Sequence, residues 1–106
     1  MEETELIYLL RQGNQSAYEE LVTRYGHMVY NTCLGYVKNN VDAEDLSQEV
    51  FIEVFRSVKK FRKDARLSTW IYRIAISKCL DALKKQNRLK RRGIHVPPDD
   101  EDPKNH

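Results

Sequence analysis

Long hydrophobic runs and cysteines are scarce in this 106-residue chain. Its longest uninterrupted apolar run, Leu6 to Leu10, covers only five residues, whereas a membrane-spanning helix needs about 20. The N-terminus is acidic and lacks the basic start of a secretory signal peptide. The two cysteines, Cys33 and Cys79, lie far apart and without the spacing of metal ligands. We therefore predict a cytoplasmic protein with reduced, buried cysteines and no membrane insertion.

The sequence motifs of common enzyme classes are also missing. There is no P-loop, and the four glycines do not form a dinucleotide-binding turn. The acidic residues Asp42, Glu44, Asp45, Glu49 and Glu53 could chelate Mg²⁺ in a nuclease. Acidic side chains are, however, expected near the start of a helix because they interact favourably with its dipole. We predict no catalytic residue, no metal and no cofactor.

Charge is strongly segregated along the chain. Residues 1–58 carry 4 Lys/Arg against 10 Asp/Glu, a net charge of −6. Residues 59–92 carry 13 against 2, a net charge of +11, and residues 93–106 carry 1 against 4. Solvated helix faces with random charges would rarely separate this far. The pattern favours one surface for a polyanion and another surface for a different partner.

Apolar residues recur with helical spacing, and no stretch shows the two-residue alternation of a strand. A first helix is predicted over about 4–12, with Gly13 as its stop. Asn14 or Ser16 is expected to cap a second helix, which ends at 38–40. The chain is therefore expected to be all-α.

The second half of the chain predicts two further helices. Asp42 is expected to cap the third helix, which is followed by a basic loop at 59–67. Ser68 or Thr69 is expected to cap a fourth helix that could reach Arg92. The predicted fold is a compact bundle of about four helices.

The sequence divides the chain into a helical domain and a C-terminal tail. Residues 1–92 are predicted to form the helical domain. Residues 93–106 are rich in proline and acidic residues, cannot pack a core, and are predicted to be a flexible acidic linker or tail.

Placing residues at about 100° steps gives the third helix two different faces. The broad face predicted to enter the core contains Ala43, Leu46, Val50, Phe51, Val54, Phe55 and Val58. The narrower, opposite stripe contains Asp45, Gln48, Glu49, Ile52 and Arg56. Ile52 is the apolar member of this polar stripe, which is consistent either with a partner-docking surface or with an ordinary solvated face.

The fourth helix combines an apolar face with a basic face. The basic face contains Trp70, Arg73, Ser77, Lys84, Arg88 and Arg91. A tryptophan in line with cations offers a stacking surface and phosphate neutralisation, both of which single-stranded nucleic acid requires. The alternative is that Trp70 fills the edge of the core.

The basic loop that precedes this helix also has two interpretations. Its five basic residues surround Phe61, and such a loop could hold a base extruded from a stack. Alternatively, it is a solvated loop in which Phe61 and Leu67 enter the core. For Phe61 we predict burial, because large aromatic side chains are mostly buried.

Three segments carry a resemblance to a known family. They are Ala43–Phe51 (AEDLSQEVF), Phe61-Arg62, and Leu67–Ala75 (LSTWIYRIA). Together they resemble region 2 of bacterial RNA polymerase sigma factors, over roughly residues 5–92. The Ser-Thr-Trp sequence is similar to that of the extracytoplasmic-function (ECF) group. The two longer patterns at this separation are jointly specific, whereas either one alone would be only moderately so.

The resemblance implies a non-enzymatic module of transcription initiation. Such a module binds the β′ coiled coil of core RNA polymerase, and recognises and melts the −10 promoter element on its non-template strand. The implied polymerase contacts are Asp45, Leu46, Gln48, Glu49 and Ile52. The implied DNA contacts are Arg62, Lys63, Asp64, Ala65, Arg66, Ser68, Trp70, Arg73, Ser77, Lys84 and Arg88. An anti-sigma factor is an implied further partner.

One alternative function stays open, namely a general helical nucleic-acid-binding domain without a polymerase partner. The stripe on the third helix distinguishes the two, because a simple polyanion binder has no reason to carry it. ECF sigma factors also normally continue into a domain that reads the −35 element, and this sequence stops at His106. We therefore expect either a region 2 piece or an unusual one-domain protein, without independent promoter selection.

Overall fold

The computed structural model describes residues 1–93, and within them the chain forms helices and turns without a strand. The helices are α1 (Glu3–Arg11), α2 (Gln15–Val37), α3 (Asn40–Ser57) and α4 (Leu67–Arg91), with a 3₁₀ turn at Val58–Lys60. The predicted all-α bundle of four helices is confirmed. None of the described helices is long and apolar enough to cross a membrane. The tail predicted at 93–106 lies, apart from Gly93, outside the described residues.

The turn between α1 and α2 depends on Gly13 and Asn14. Gly13 has a φ of 75°, a left-handed conformation that glycine adopts without a steric penalty. The Asn14 side chain then caps α2, because its oxygen accepts a hydrogen bond from the Ala17 amide at 2.9 Å. Of the two predicted caps, the structure therefore selects Asn14, while Ser16 lies within the first turn of the helix.

The predicted cap of α3, Asp42, is wrong. Asn39 is the cap, and its side-chain oxygen accepts a hydrogen bond from the Asp42 amide at 2.8 Å. The Asn39 amide group in turn donates to the Asp42 carboxylate, also at 2.8 Å. Lys38 ends α2 in a left-handed conformation with a φ of 62°. Because the chain reverses within Lys38 and Asn39, α3 begins earlier than the apolar pattern indicates.

The predicted caps of α4, Ser68 and Thr69, are wrong as well. Both residues lie inside the first turn of α4, and the residue at the cap position is Arg66, whose side chain makes no capping hydrogen bond. The first helical amide, that of Leu67, instead donates to Glu3 Oε2 at 3.1 Å. The capping group of α4 therefore comes from Glu3 of α1, which lies 64 positions earlier in the sequence.

The core lies where α2 packs against both α3 and α4, while α1 packs against α2 and the 3₁₀ turn. Side chains at four-residue spacing form the buried line of α4, namely Leu67, Ile71, Ala75 and Cys79. A similar buried line lies on α2, which packs against α4, namely Ala17, Leu21, Val29 and Cys33. Burial of these apolar side chains away from water is the main stabilising contribution to such a bundle.

The predicted core face of α3 is confirmed except at its margin. Ala43, Val50 and Val54 are fully buried, but Phe55 is 42 % exposed. The Phe55 ring lies against Tyr18 of α2 in an edge-on arrangement, with 4.7 Å between the ring centroids. Leu80 of α4 is also exposed. Both residues lie at the edge of a broad apolar face, where the neighbouring helix no longer covers them.

Cys33 and Cys79 are free and fully buried, one on α2 and the other on α4. Burial raises the pKa of both thiols, and that of Cys79 reaches about 12. Each thiol is therefore protonated at neutral pH, although the thiolate is the reactive form. The predicted reduced core cysteines are consistent with this environment.

We expect both thiols to resist alkylation by iodoacetamide at pH 8 while the chain is folded. Labelling requires opening of the core, so it should be at least about 100-fold slower than in concentrated urea for a domain of ordinary stability. Intact mass measured over time in the two conditions tests this. Equal rates would show that the core around Cys33 and Cys79 opens freely.

Candidate functional site

The predicted exposed face of α3 is present in the structure. We call it the α3 stripe, and it consists of Asp45, Gln48, Glu49, Ile52 and Arg56, all of which are exposed. Ile52 exposes 52 % of its surface. Within residues 1–93 the ion pairs join Glu20 to Arg24 and Glu53 to Arg56, so neither Asp45 nor Glu49 is neutralised by one. The stripe therefore presents acids, an amide and an apolar side chain to solvent.

Leu46 behaves differently from the other four residues that the resemblance implies as polymerase contacts. It is only 6 % exposed and belongs to the hydrophobic core. Two apolar residues that were not predicted flank the stripe instead, Val41 at 60 % exposure and Phe55 at 42 %. Val41 was missed because the predicted helix starts after it, and Phe55 was missed because it was assigned to the core.

The loop between the 3₁₀ turn and α4 is buried at both ends and exposed between them. Phe61 is 4 % exposed and Leu67 is fully buried, so the predicted burial of Phe61 is confirmed. Arg62, Lys63, Asp64 and Arg66 are exposed, and Ala65 is half-buried. Four polar residues are thus presented on a short segment with fixed ends.

Trp70 follows this loop in the first turn of α4 and is half-buried. Its ring packs against Phe61 with 4.9 Å between the centroids and an interplanar angle of 42°. It also packs against the core. This packing agrees with the interpretation that Trp70 fills the core edge, whereas stacking on a base stays a prediction.

An open pocket of about 390 Å³ lies between the loop and the N-terminal half of α1. It is lined by Lys63, Asp64, Ala65 and Arg66 of the loop and by Glu3, Thr4 and Ile7 of α1. The pocket is shallow and largely open to solvent, and its volume lies at the lower end of the range of ligand pockets in proteins. The sequence did not implicate α1 in the site, since nothing in its local pattern indicates which element it approaches.

The predicted basic face of α4 continues directly from the loop and Trp70. We call it the α4 basic face, and its residues Arg73, Ser77, Lys84, Arg88 and Arg91 are all exposed. Ser68, another implied DNA contact, is half-buried in the first turn of the helix. None of these side chains takes part in an ion pair with the described residues 1–93. The positive charge is therefore available to an external anion.

The acidic residues considered as metal ligands are spread along α3. Within residues 1–93, no three His, Cys, Asp or Glu side chains are placed to hold a metal ion together. Asp42 accepts a hydrogen bond from Asn39, as described above. Glu53 accepts one from the Ser57 hydroxyl at 2.6 Å, and this bond lowers the pKa of the Glu53 carboxyl.

Comparison with known proteins places this arrangement in a family. The protein-family model described as Sigma-70 region 2 matches residues 21–89 of this sequence. The chain therefore belongs to the Sigma-70 region 2 family. Among its relatives are sigma factors of the ECF group, which confirms the resemblance drawn from the sequence. The ECF RNA polymerase sigma-E factor of Escherichia coli K12 is 37 % identical over 83 residues, covering 78 % of this chain and 43 % of that protein.

Two further comparisons agree with this. The RNA polymerase sigma-H factor of Pseudomonas aeruginosa is 32 % identical over 99 residues, which cover 93 % of this chain and 48 % of that protein. The chain thus spans about half the length of these relatives. The NMR structure of an engineered region 2 of sigmaE in complex with GTAAAA matches with a TM-score of 0.76 and 34 % identity. That match covers 83 % of this chain and 92 % of the other.

Proposed function

We propose that this chain is a non-enzymatic module of transcription initiation. It binds core RNA polymerase through the α3 stripe, and it recognises and melts the −10 promoter element through the loop and the α4 basic face. One observation carries the proposal beyond family membership. An exposed acidic and apolar stripe and an exposed basic face lie on two different helices, as a protein that joins an enzyme to DNA requires.

The spacing of the α3 surface supports a helical partner. Val41, Asp45, Gln48, Ile52 and Phe55 follow one another at alternating intervals of four and three residues, and all are exposed. Residues with this spacing form the seam along which one helix packs against another in a coiled coil. We call these five residues the α3 seam. Apolar side chains at both ends of the seam supply buried area, while Asp45 and Gln48 supply polar contacts that set the register. We therefore propose the coiled coil of the β′ subunit as the partner.

The same seam argues against the alternative function, a general nucleic-acid binder without a polymerase partner. Nucleic acid would be repelled by Asp45 and Glu49, which have no ion-pair partner among residues 1–93. It also gains little from the exposed aliphatic side chains of Val41 and Ile52. The α3 stripe favours a protein as the partner of α3. A general nucleic-acid-binding function would explain the basic face of α4 but not the exposed residues of α3.

The DNA-binding half of the proposal rests on the loop, Trp70 and the α4 basic face. The related sigmaE region 2 was solved with the hexanucleotide GTAAAA. In this chain the cations of α4 would neutralise phosphates, Trp70 would stack on a base, and the loop pocket would take an extruded base of the non-template strand. The chain would act in the cytoplasm, and an anti-sigma factor as a further partner stays a prediction.

Replacing Lys63 and Arg66 with alanine is expected to change the order of preference among single strands more than the overall affinity. A captured base is distinguished by its edges, so losing the pocket wall should reduce discrimination between GTAAAA and its single-base variants by about 5- to 10-fold. Competition binding with the set of hexanucleotides measures this ratio.

The matched control for this experiment is the Lys59→Ala/Lys60→Ala variant. It removes the same charge from exposed residues that precede Phe61 and do not line the pocket. It should weaken every strand by a similar factor and preserve the ratios. If both double variants give the wild-type discrimination profile, the loop contributes charge alone and base capture is contradicted.

A further inference from the structure

We infer that Glu3 and Arg11 of α1 are positioning residues that hold the loop in the geometry with which it distinguishes bases. This inference rests on the proposed function of the loop. Arg11 lies outside the pocket lining and Glu3 forms part of it, and both are inferred to act through the backbone at the two ends of the loop.

Arg11 holds the beginning of the loop. Its Nη2 donates a hydrogen bond to the Phe61 carbonyl at 2.5 Å, and its Nε donates to the Val58 carbonyl at 3.4 Å. The same Val58 carbonyl accepts from the Phe61 amide at 3.1 Å, which closes the 3₁₀ turn. A charged, planar guanidinium that bonds two carbonyls fixes their relative orientation more firmly than a single neutral hydrogen bond would.

Glu3 holds the end of the loop. Its carboxylate accepts the hydrogen bond from the Leu67 amide, the first amide of α4, at 3.1 Å. The first amides of a helix have no partner within the helix, and a negative charge there also interacts favourably with the helix dipole. Since the Arg66 side chain at the cap position makes no such bond, Glu3 supplies what a local capping residue normally supplies.

The two contacts place the ends of the loop on a single rigid element. Glu3 and Arg11 are eight positions apart on α1, which corresponds to a separation of about 12 Å along the helix axis. Thr4 and Ile7 lie between them and line the pocket behind the loop. The spacing of the loop ends is therefore set by α1, and residues 62–66, all exposed except the half-buried Ala65, are held against it. Selective recognition requires groups held to within about 0.5 Å, which a freely moving segment cannot provide.

The inference is tested with three variants of the whole chain, Glu3→Ala, Glu3→Gln and the control Glu5→Ala. Glutamine keeps an oxygen that accepts the Leu67 hydrogen bond, and Glu5 is an exposed carboxylate in the same turn of α1. Binding of GTAAAA and its single-base variants should show about 5-fold lower discrimination in Glu3→Ala, with affinity for the weakest strand unchanged within about 2-fold. Glu3→Gln and Glu5→Ala should discriminate as the wild type does.

A second readout follows the contact itself. Hydrogen exchange of the Leu67 amide, measured by NMR, should be faster in Glu3→Ala than in Glu3→Gln or Glu5→Ala. Should Glu3→Ala lose α1 altogether by circular dichroism, Arg11→Met provides the second test. It keeps the aliphatic stem, removes the donors to Val58 and Phe61, and should lower discrimination in the same way.

The outcomes separate this inference from the proposed function. Wild-type discrimination in Glu3→Ala and Arg11→Met would overturn the positioning role and leave base capture intact. If Glu3→Gln lost as much discrimination as Glu3→Ala, the hydrogen bond from the Leu67 amide would not be the cause of the positioning effect. A wild-type chain that binds all hexanucleotides equally would overturn base capture, and the positioning role with it.

Discussion

Core RNA polymerase is expected to bind the Gln48→Ala/Glu49→Ala variant about 10- to 30-fold more weakly than the wild-type chain, as for loss of contacts at the centre of an interface. Both side chains are exposed on the α3 stripe, so their truncation opens no cavity in the core. The free energy of unfolding should therefore stay within about 0.5 kcal/mol of the wild-type value. Retention of core polymerase by the immobilised chain, together with thermal unfolding of the free chain, measures both quantities.

Two controls define what this result means. Gln15→Ala/Glu19→Ala removes the same residue types from exposed positions on α2, where Gln15 donates a hydrogen bond to Glu19 at 3.4 Å, and should leave polymerase binding unchanged. Val50→Ala, in the buried face of α3, should lower stability by about 1–3 kcal/mol through a cavity. If the Gln48/Glu49 variant unfolds instead of losing polymerase, those residues are structural and docking through α3 is contradicted.

Reversing two charges on α4 should have the largest effect on DNA binding. The Lys84→Glu/Arg88→Glu variant is expected to bind every single strand about 100-fold more weakly at low salt, because two phosphate contacts become repulsive. The slope of log affinity against log salt concentration should flatten by about 1.4 to 2, since fewer counterions are released. Binding titrations at four or more salt concentrations measure affinity and slope together.

The matched control for the charge reversal is Arg24→Glu/Lys38→Glu. It changes the net charge of the chain by the same amount at exposed positions of α2 and the turn after it. Because the reversal also removes the ion pair between Arg24 and Glu20, thermal unfolding of this variant is measured alongside binding. It should reduce affinity only slightly and leave the slope close to the wild-type value. A slope that is the same for both double variants would show that α4 is not the DNA contact surface.

Much of the candidate site could be predicted from the sequence because it depends on local periodicity. The spacing of apolar residues on α3 was sufficient to predict that Asp45, Gln48, Glu49 and Ile52 would be exposed. The same reasoning predicted the exposed cations of α4, whereas the burial of Phe61 was predicted because large aromatic side chains are mostly buried. A helix repeats every 3.6 residues whatever surrounds it, so its two faces can be separated from sequence alone.

Other features depended on contacts between distant parts of the chain. The caps of α3 and α4 were mispredicted, because the turn at Lys38 moved one helix start and Glu3 replaced a local cap at the other. Phe55 was assigned to the core, yet its exposure depends on how far α2 covers the margin of α3. The pocket between α1 and the loop was not predicted at all.

The sequence by itself therefore determined the four helices, their apolar faces and the segregation of charge between α3 and α4. These properties arise from side-chain spacing within a helix and need no knowledge of its neighbours. Only the tertiary structure decided which helix end Glu3 caps, which carbonyls Arg11 holds and which side of the loop α1 covers. Those contacts join residues about 50 or more positions apart, and their formation depends on the packing of the whole bundle, which no local pattern records.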